Sequence, residues 1–480
     1  MNSVFPKPSI FLRVTKGRRV LIPSRHLSRH IPQSTVRPFA TNGPRYSSSY
    51  KYNKTLHSSV GMSLNILIIG AGVAGPALAL LLQKSDPNYN ITIIERFPSL
   101  RVAGQQIDIK NQGVDVLKKM GIFDAIKEAC VNETGLEVVD SAGRRKALVG
   151  INPTGQKRRT LTSEFEIMRG DMVKVLYDAS VKQDQQLRQL GGKGGLTYEF
   201  SKEVTELTQS DKGVEVTFSD GKKQSYDLVV AADGQASRTR RMAFGKEAND
   251  EAFNSIGVHA AYYAIPRADN EETLARSYNA PGKRMLFTRT SGRPFTQVLL
   301  FTMAGAEDLK KSYKESVEKQ KEAFDKVFRG AGWQTDTLLD GMKTTADFWA
   351  HELVQIKMKQ LHTGRVALLG DAGYCPTPFT GMGTTGCLIG AYVLAGELAR
   401  HKGDVPSALK AYDRVVRPGI DEIQTLPTQF LGAFFPSSKI GVWILQNVMW
   451  AVSKIEPLTY RPKPEGEYVW RLPEYPELKL

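Results

Sequence analysis

The sequence predicts a mixed α/β fold: a Rossmann-like domain, interrupted by an inserted β-sheet domain and followed by a C-terminal helix. Three observations predict it. Residues 65–96 read strand, glycine turn, helix, strand and acid. Residues 247–345 break that pattern with the strands of a second sheet. Residues 365–400 return to strand, glycine-rich loop and helix.

The first unit is NILIIGAGVAGPALALLLQKSDPNYNITIIER, Asn65 to Arg96. Leu64 to Ile69 is an apolar, β-branched run of strand length. Gly70, Gly72 and Gly75 then form G-x-G-x-x-G. The first glycine allows a tight turn, the second lets backbone approach a pyrophosphate, and the third lets the helix pack closely on the strand. Pro76 falls early in the helix, where a missing N–H costs little. Leu78, Leu81 and Leu82 recur at helical spacing, and Asn90 to Ile94 is a second buried strand. It leads into Glu95, twenty residues after Gly75, where a ribose hydroxyl needs an acceptor. A helix N-terminus with free N–H groups suits phosphate. These parts together predict dinucleotide binding, although the motif alone does not separate FAD from NAD.

At 480 residues the chain can bury a large core and has room for two domains. The formal charge of +16 is unevenly placed. Residues 1 to 60 hold eleven Lys or Arg and no Asp or Glu, which leaves +5 for the rest. No basic face with interleaved aromatics points to nucleic acid. Cys130, Cys375 and Cys387 are too few and scattered for a disulfide framework, and no Cys/His cluster points to a metal. The leader, residues 1–61, is basic, Ser-rich and acid-free, a transit-peptide composition. Arg37-Pro38-Phe39-Ala40 resembles a mitochondrial precursor cleavage pattern. The expected location is therefore mitochondrial, with a cytoplasmic protein starting at Met62 as the alternative.

Beyond Arg96, Gly104 opens a loop, Gln106 to Ile109 is a short extended piece, and Gly113 to Met120 is a helix. Short polar strands turn at Arg144 to Lys146, and Ile151 to Arg159 is a loop. Arg169 stands at a strand–helix junction. Taken alone it reads as a surface arginine. Gln183 to Gly195 reads as a polar loop, followed by a hairpin, Glu203 to Thr208 with Gly213 to Phe218, and a third strand, Tyr226 to Ala231. Asp233-Gly234 closes that meander and by itself is a plain turn. Phe253 to Ile265, Arg284 to Thr290 and Phe295 to Met303 are strands, and Glu307 to Phe328 is one amphipathic helix. Arg365 to Leu369 is a buried strand ending at Gly370-Asp371. Gly381 and Gly383 free the backbone before a helix whose N-terminus can face an anion. Alone, this stretch reads equally as a glycine-rich connection with a capping Asp. Ile440 to Val452 is apolar over thirteen residues, against the roughly twenty a membrane span needs. It is expected to pack as a helix bridging the domains, with room for peripheral membrane association. The expected domains are 62–246 and 346–425 for dinucleotide binding, 247–345 for substrate, and a helical extension over 426–480.

Three motifs stand in one order: GAGVAG…ER at 70–96, DLVVAADGQASRTRR at 227–241, and RVALLGDAGYCPTPFTGMG at 365–383. From about Ser63 to Lys402 this resembles the single-component, FAD-dependent aromatic hydroxylases, the class A flavin monooxygenases. The wording of the third motif, with AGQQIDIKNQG at 103–113, is most similar to the tetracycline-inactivating monooxygenases and their fungal and bacterial relatives. Ubiquinone-type hydroxylases carry His-Pro and Gly-Gln-Gly where this chain has Thr377-Pro378 and Gly381-Met382-Gly383.

The resemblance implies a glutathione-reductase-type FAD-binding domain and a role for each matching residue. Gly70, Gly72 and Gly75 take the FAD pyrophosphate, Glu95 the adenosine ribose, and Arg96 the adenine side. Gln106 and Asp108 lie in the loop passing the flavin. Arg169 meets the phosphate and ribityl region. Asp233 belongs to a motif linked to both FAD and NADPH, and Asp371 binds the ribityl chain. Pro378, Gly381, Gly383 and Thr384 wrap the pyrimidine edge of the flavin ring. The implied reaction uses NADPH or NADH as a transient reductant and O2 to hydroxylate a small aromatic substrate through a C4a-hydroperoxide. No general base stands out in the sequence. Tyr262, Tyr263, Phe287 and Phe301 are candidate pocket liners, and an aromatic polyketide-like metabolite or xenobiotic is the expected substrate class. Other flavin oxygenations, a quinone-pathway hydroxylase and a non-catalytic binding protein on the same fold are the alternatives. Halogenation would need a W-x-W-x-I-P signature, which is absent from the sequence.

Overall fold

The strand Asn65–Ile69 lies inside a six-stranded sheet. The order across it is His362–Thr363, Val366–Leu368, Leu228–Ala231, Asn65–Ile69, Asn90–Glu95 and Gly195–Phe200. All neighbours are parallel except the first pair. The structure is a computed structural model that describes residues 63–101, 104–131, 133, 135–149, 165–268, 274–459 and 469–478. The leader, Met62 and the loop expected over 151–159 lie outside the described residues.

Parallel strands buried on both faces should be near-continuously apolar, and NILII, LVVA and VAL are. One face carries the helices Ala74–Ser85, Arg169–Gln189, Gly383–Arg400 and Val405–Ile423. The first of these is apolar all round, and Ala77 to Leu82 are almost fully buried. Each buried Leu there stabilises the fold by about 1.5–3 kcal/mol. The other face is covered by a three-stranded antiparallel sheet, Val204–Gln209, Val214–Phe218 and Lys223–Tyr226.

Two expected elements divide differently. The stretch expected as one strand from Tyr226 to Ala231 splits at Asp227. Lys223–Tyr226 finishes the antiparallel meander, while Leu228–Ala231 joins the parallel sheet. The loop expected over 183–195 is helical to Gln189. Its polar residues occupy the outer face of a helix whose inner face is Met172, Val173, Leu176 and Ser180.

The second sheet has seven strands. They are Phe348–Ile356, Phe253–Pro266, Phe295–Thr302, Arg284–Arg289, Ala275–Ala280, Leu136–Val139 and Arg145–Val149, in that order. It therefore recruits strands from both sides of the expected 247–345 insertion, a pairing no local pattern encodes. The helix expected over Glu307 to Phe328 is two, Ala306–Ser312 and Val317–Phe328. The break falls at Ser316, whose hydroxyl accepts from Lys319 N and caps the second helix. These helices and Thr335–Thr344 cover one face of the sheet.

A short antiparallel ribbon, Gln106–Ile109 with Phe165–Met168, stands apart from both sheets. The C-terminal helix Lys439–Thr459 lies against Arg145–Val149 and Ala275–Ala280. Residues 469–478 return to the first core, where the Tyr475 hydroxyl donates to Glu397 at 2.6 Å. Among the described residues no helix is long and apolar enough to cross a membrane.

Candidate functional site

The three sequence motifs converge because each follows a strand of one parallel sheet. Ile69 is in register with Ala231 and with Ile94, and Ala231 with Leu368. Their carboxyl ends therefore align, and the turns at Gly70, Ala232-Asp233 and Gly370-Asp371 emerge side by side. Open α/β sheets bind ligands at such an edge. Gly70 adopts φ +113°, and an added Cβ there would lie 2.5 Å from Ala232 O. At Gly75 it would collide with Gly70 O. The Glu95 carboxylate accepts from Ala71 N at 3.0 Å and Phe97 N at 3.1 Å, so it is held against the glycine turn. Arg96 is exposed, its guanidinium 4.9 Å from the Phe97 ring centre.

Arg169 begins its helix and runs between two glycines. An added Cβ would meet its Nη2 at Gly72 (3.3 Å) and its Cδ at Gly104 (3.2 Å). Its Nη1 is buried with no hydrogen-bond partner. Burial pulls the Arg169 pKa down, against the nearby carboxylates of Asp371 and Glu95. Asp371 is accessible to water yet ringed by protein, so it faces an internal cleft and not the outer surface. Burial holds its carboxyl above the usual value, opposed by a Cys375 hydrogen bond and by Arg169.

The helix Gly383–Arg400 starts beside Asp371, whose Oδ1 is 4.0 Å from the Cβ position of Gly383. No side chain caps this helix and no acid stands in its first turn, so its leading N–H groups are left for a ligand. Pro378–Thr380 forms a single 3-10 turn closed by Gly381 at φ +62°. Gly381 packs on Asp108 and Lys110, which form a 2.9 Å ion pair. Thr384 is buried. Thr385 Oγ1 donates to Lys110 O at 2.8 Å and accepts from Lys110 N at 3.1 Å, clamping the ribbon to the helix.

Two expected positions are committed to protein. Asp233 accepts from Ser237 Oγ at 2.6 Å, Thr239 Oγ1 at 2.9 Å and Thr239 N at 3.2 Å, fastening the helix that follows. Gln106 is on the ribbon strand and not in a loop. Its amide donates to Glu166 and accepts from Ser291 Oγ, and its N–H donates to Gln297 Oε1 at 3.1 Å.

Sequence reading missed several residues around this edge. Arg240, fully buried, donates to Ala372 O at 2.7 Å, Gln235 O at 2.9 Å and Asn249 Oδ1 at 2.9 Å, tying the second motif to the third. The second Arg of SRTRR was its only signal. Arg289 binds Glu133 at 2.7 and 2.8 Å and Glu166 at 2.5 Å, joining the second sheet to the ribbon. Thr377, buried, holds φ +75° with its hydroxyl unpartnered. A β-branched residue there marks backbone held by its surroundings.

The aromatic candidates divide by strand alternation. Tyr262, Phe287 and Phe301 share the face that meets Phe379 of the third-motif loop, with Phe301 and Phe379 ring centres 5.6 Å apart. Leu431 and Phe435 complete this cluster. Tyr262 stacks on His351 at 5.6 Å, and its buried hydroxyl has no partner. Tyr263 faces the opposite way and donates to Leu338 O at 3.1 Å inside the helical layer.

A glycine cradle, a buried guanidinium N–H without a partner, an acid on an internal cleft and an uncapped helix N-terminus fit a dinucleotide with its diphosphate. They define a dinucleotide-binding protein of the Rossmann-like class. Residues 63–423 match the FAD binding domain family, and the chain belongs to it. It is 39% identical to the FAD-dependent monooxygenase asL6 of Sarocladium schorii, over 87% of this chain and 100% of that one. It is 33% identical to asL4, an FAD-dependent monooxygenase of the same organism, over 86% and 99%. The solved structure of tetracycline destructase Tet(55) superposes with a TM-score of 0.68 at 28% identity, covering 86% of this chain and 99% of that one. The protein is an FAD-dependent monooxygenase of the aromatic-hydroxylase type, and FAD is its cofactor.

Proposed function

We propose that this enzyme uses NADPH or NADH and O2 to hydroxylate a polycyclic aromatic molecule of the polyketide or xenobiotic kind. The observation that carries the reading is the placement of Tyr262, Phe301 and Phe379. They form one apolar wall built partly from the third-motif loop, so a planar substrate seated on it lies next to that loop. Similarity to a tetracycline destructase supports a polycyclic ligand.

In this reading the backbone at Gly70, Gly72 and Gly75 takes the pyrophosphate with Arg169 Nη1, a charge-assisted contact. Glu95 takes the adenosine ribose and Arg96 lies by the adenine. Asp371 accepts from the ribityl hydroxyls, while Pro378, Gly381, Gly383 and Thr384 surround the ring edge beside Asp108. Bound FAD would take two electrons from the nicotinamide cofactor and pass them to oxygen, activating it. The N-terminus of Gly383–Arg400 stabilises negative charge at the ring edge. The wall of aromatic side chains keeps water out. His351, which burial pushes down to about 4, stays neutral there at physiological pH. We read residues 1–61 as a mitochondrial targeting leader, which N-terminal sequencing of the mature protein from its cells tests.

The test is a visible absorption spectrum of the purified protein, followed by NADPH consumption with and without polycyclic phenols and mass detection of product. Bound oxidised flavin and substrate-stimulated consumption with gain of one oxygen atom are expected. Protein that neither carries nor takes up FAD, or oxidation that no aromatic stimulates, would overturn the proposal.

A further inference from the structure

The C-terminal helix Lys439–Thr459 is partnered on one side only. Val442 and Gln446 are buried, with Gln446 Nε2 donating to Val139 O at 3.4 Å. The other side exposes Ile440 (72%), Trp443 (65%), Ile444 (51%), Val448 (52%), Trp450 (51%) and Val452 (42%). At 3.6 residues per turn these fall on one continuous arc. Asn447 shares that arc, and its side-chain amide is turned back onto Trp443 O at 2.7 Å. A soluble monomer seldom leaves such a face in water.

Charge and side-chain type single out the occupant. The helix holds one acid, Glu456, in its last turns and none from residue 426 to 455, while Lys439 and Lys454 stand exposed near the two ends. Exposed Lys283 donates its N–H to Pro436 O at 3.0 Å, just ahead of the helix. The strand on which the helix rests, Arg145–Val149, is preceded by exposed Arg144. The acids of that corner, Glu137 and Asp140, are buried and already paired with Arg145, Arg276, Arg144 and Lys146. The rim of the apolar face is therefore net positive. Tryptophans on an apolar arc with a basic rim match the interface of an anionic bilayer. The helix does not qualify as a membrane span, so it would lie in the plane of the surface.

We propose that this face is a peripheral membrane-docking surface whose partner is an anionic lipid bilayer. The helix is joined to the segment 431–435, in which Leu431 and Phe435 belong to the aromatic cluster and Phe434 is exposed. Docking would place that cluster next to the lipid, from which an apolar polycyclic molecule could partition without crossing water. This last consequence rests on the proposed substrate class. The docking surface does not.

The test uses the full chain and vesicles of phosphatidylcholine, alone or with one quarter phosphatidylserine. Co-sedimentation stronger with the anionic vesicles is expected, with a blue shift of tryptophan emission. The double variant Trp443→Ser/Trp450→Ser should bind about tenfold less while keeping its flavin content and NADPH oxidation. Ile444→Asn, which spares both reporter tryptophans, should weaken binding with the blue shift lost in step. Three results would overturn the proposal. The chain could stay in solution with both vesicles. The double variant could sediment like the parent, which assigns attachment to the basic leader. Or the chain could form a dimer that the double variant dissolves, with no vesicle binding. All three leave the flavin spectrum and the substrate reading untouched.

Discussion

Arg169 shows how a single side chain acquires a task from its surroundings. In the sequence it is one arginine among many. In the fold its Nη1 is buried without a partner, beside the Gly72 turn and near Asp371. Arg169→Ala should weaken FAD binding by about 2 kcal/mol, the scale of one charge-assisted hydrogen bond, read by flavin fluorescence titration of the apoprotein. Gly75→Ala drives a methyl into Gly70 O and should cost about 1–3 kcal/mol together with most of the bound flavin, read by melting and by the absorption ratio. Glu166 supplies a pH signature. Burial, then the charges of Asp108 and Glu133, push its carboxyl up to about 7 against the pull of Arg289. An unfolded Glu titrates near ~4.3. Between those values the folded protein keeps a proton the unfolded chain has lost, so stability falls as pH rises through that window. Glu166→Gln should flatten this slope and gain on the order of 2 kcal/mol relative to the parent at pH 8, in urea midpoints compared at pH 5 and pH 8.

At the scale of elements, the site is a set of strand ends held in line. Thr385 hydrogen-bonds the end of the ribbon to it, both donating to and accepting from the backbone of Lys110. Thr385→Val keeps the volume and removes both bonds, leaving backbone groups unpaired at a cost of about 1–3 kcal/mol. Flavin affinity should fall with stability, and denaturant titrations with and without added FAD check this. Element type was largely legible because glycine turns, apolar runs and helical spacing are local signals. Boundaries were less so. Ser316 interrupts a run that reads as one helix, and Gln183 to Gln189 continues a helix that composition alone reads as loop. In both places a cap or an inward face, and not composition, decided the outcome.

At the scale of the molecule, the second sheet is tied to the ribbon by a guanidinium between two carboxylates. Removing it in Arg289→Met leaves Glu133 and Glu166 facing each other in a buried site, and about 3–5 kcal/mol should be lost. Stripping FAD should also lower the melting temperature. At a hundredfold excess over Kd the ligand contributes about 2.7 kcal/mol of linked stability, so adding FAD back should restore the melt in a concentration-dependent way.

The sequence by itself determined the Rossmann-like unit, the order of the three motifs and the family they resemble. Each depends on backbone demands within a few residues, and only certain side chains satisfy them. The tertiary structure alone decided which aromatics face the third-motif loop, that Gln106 and Asp233 are spent on protein contacts, and that Arg240 and Arg289 tie distant segments together. Those facts rest on contacts such as Gln106 with Ser291 and Gln297, which lie 185 and 191 residues away along the chain. No local periodicity records a pairing at that separation. It exists only once parallel strands have aligned their ends and a second sheet has drawn its strands from both sides of the insertion.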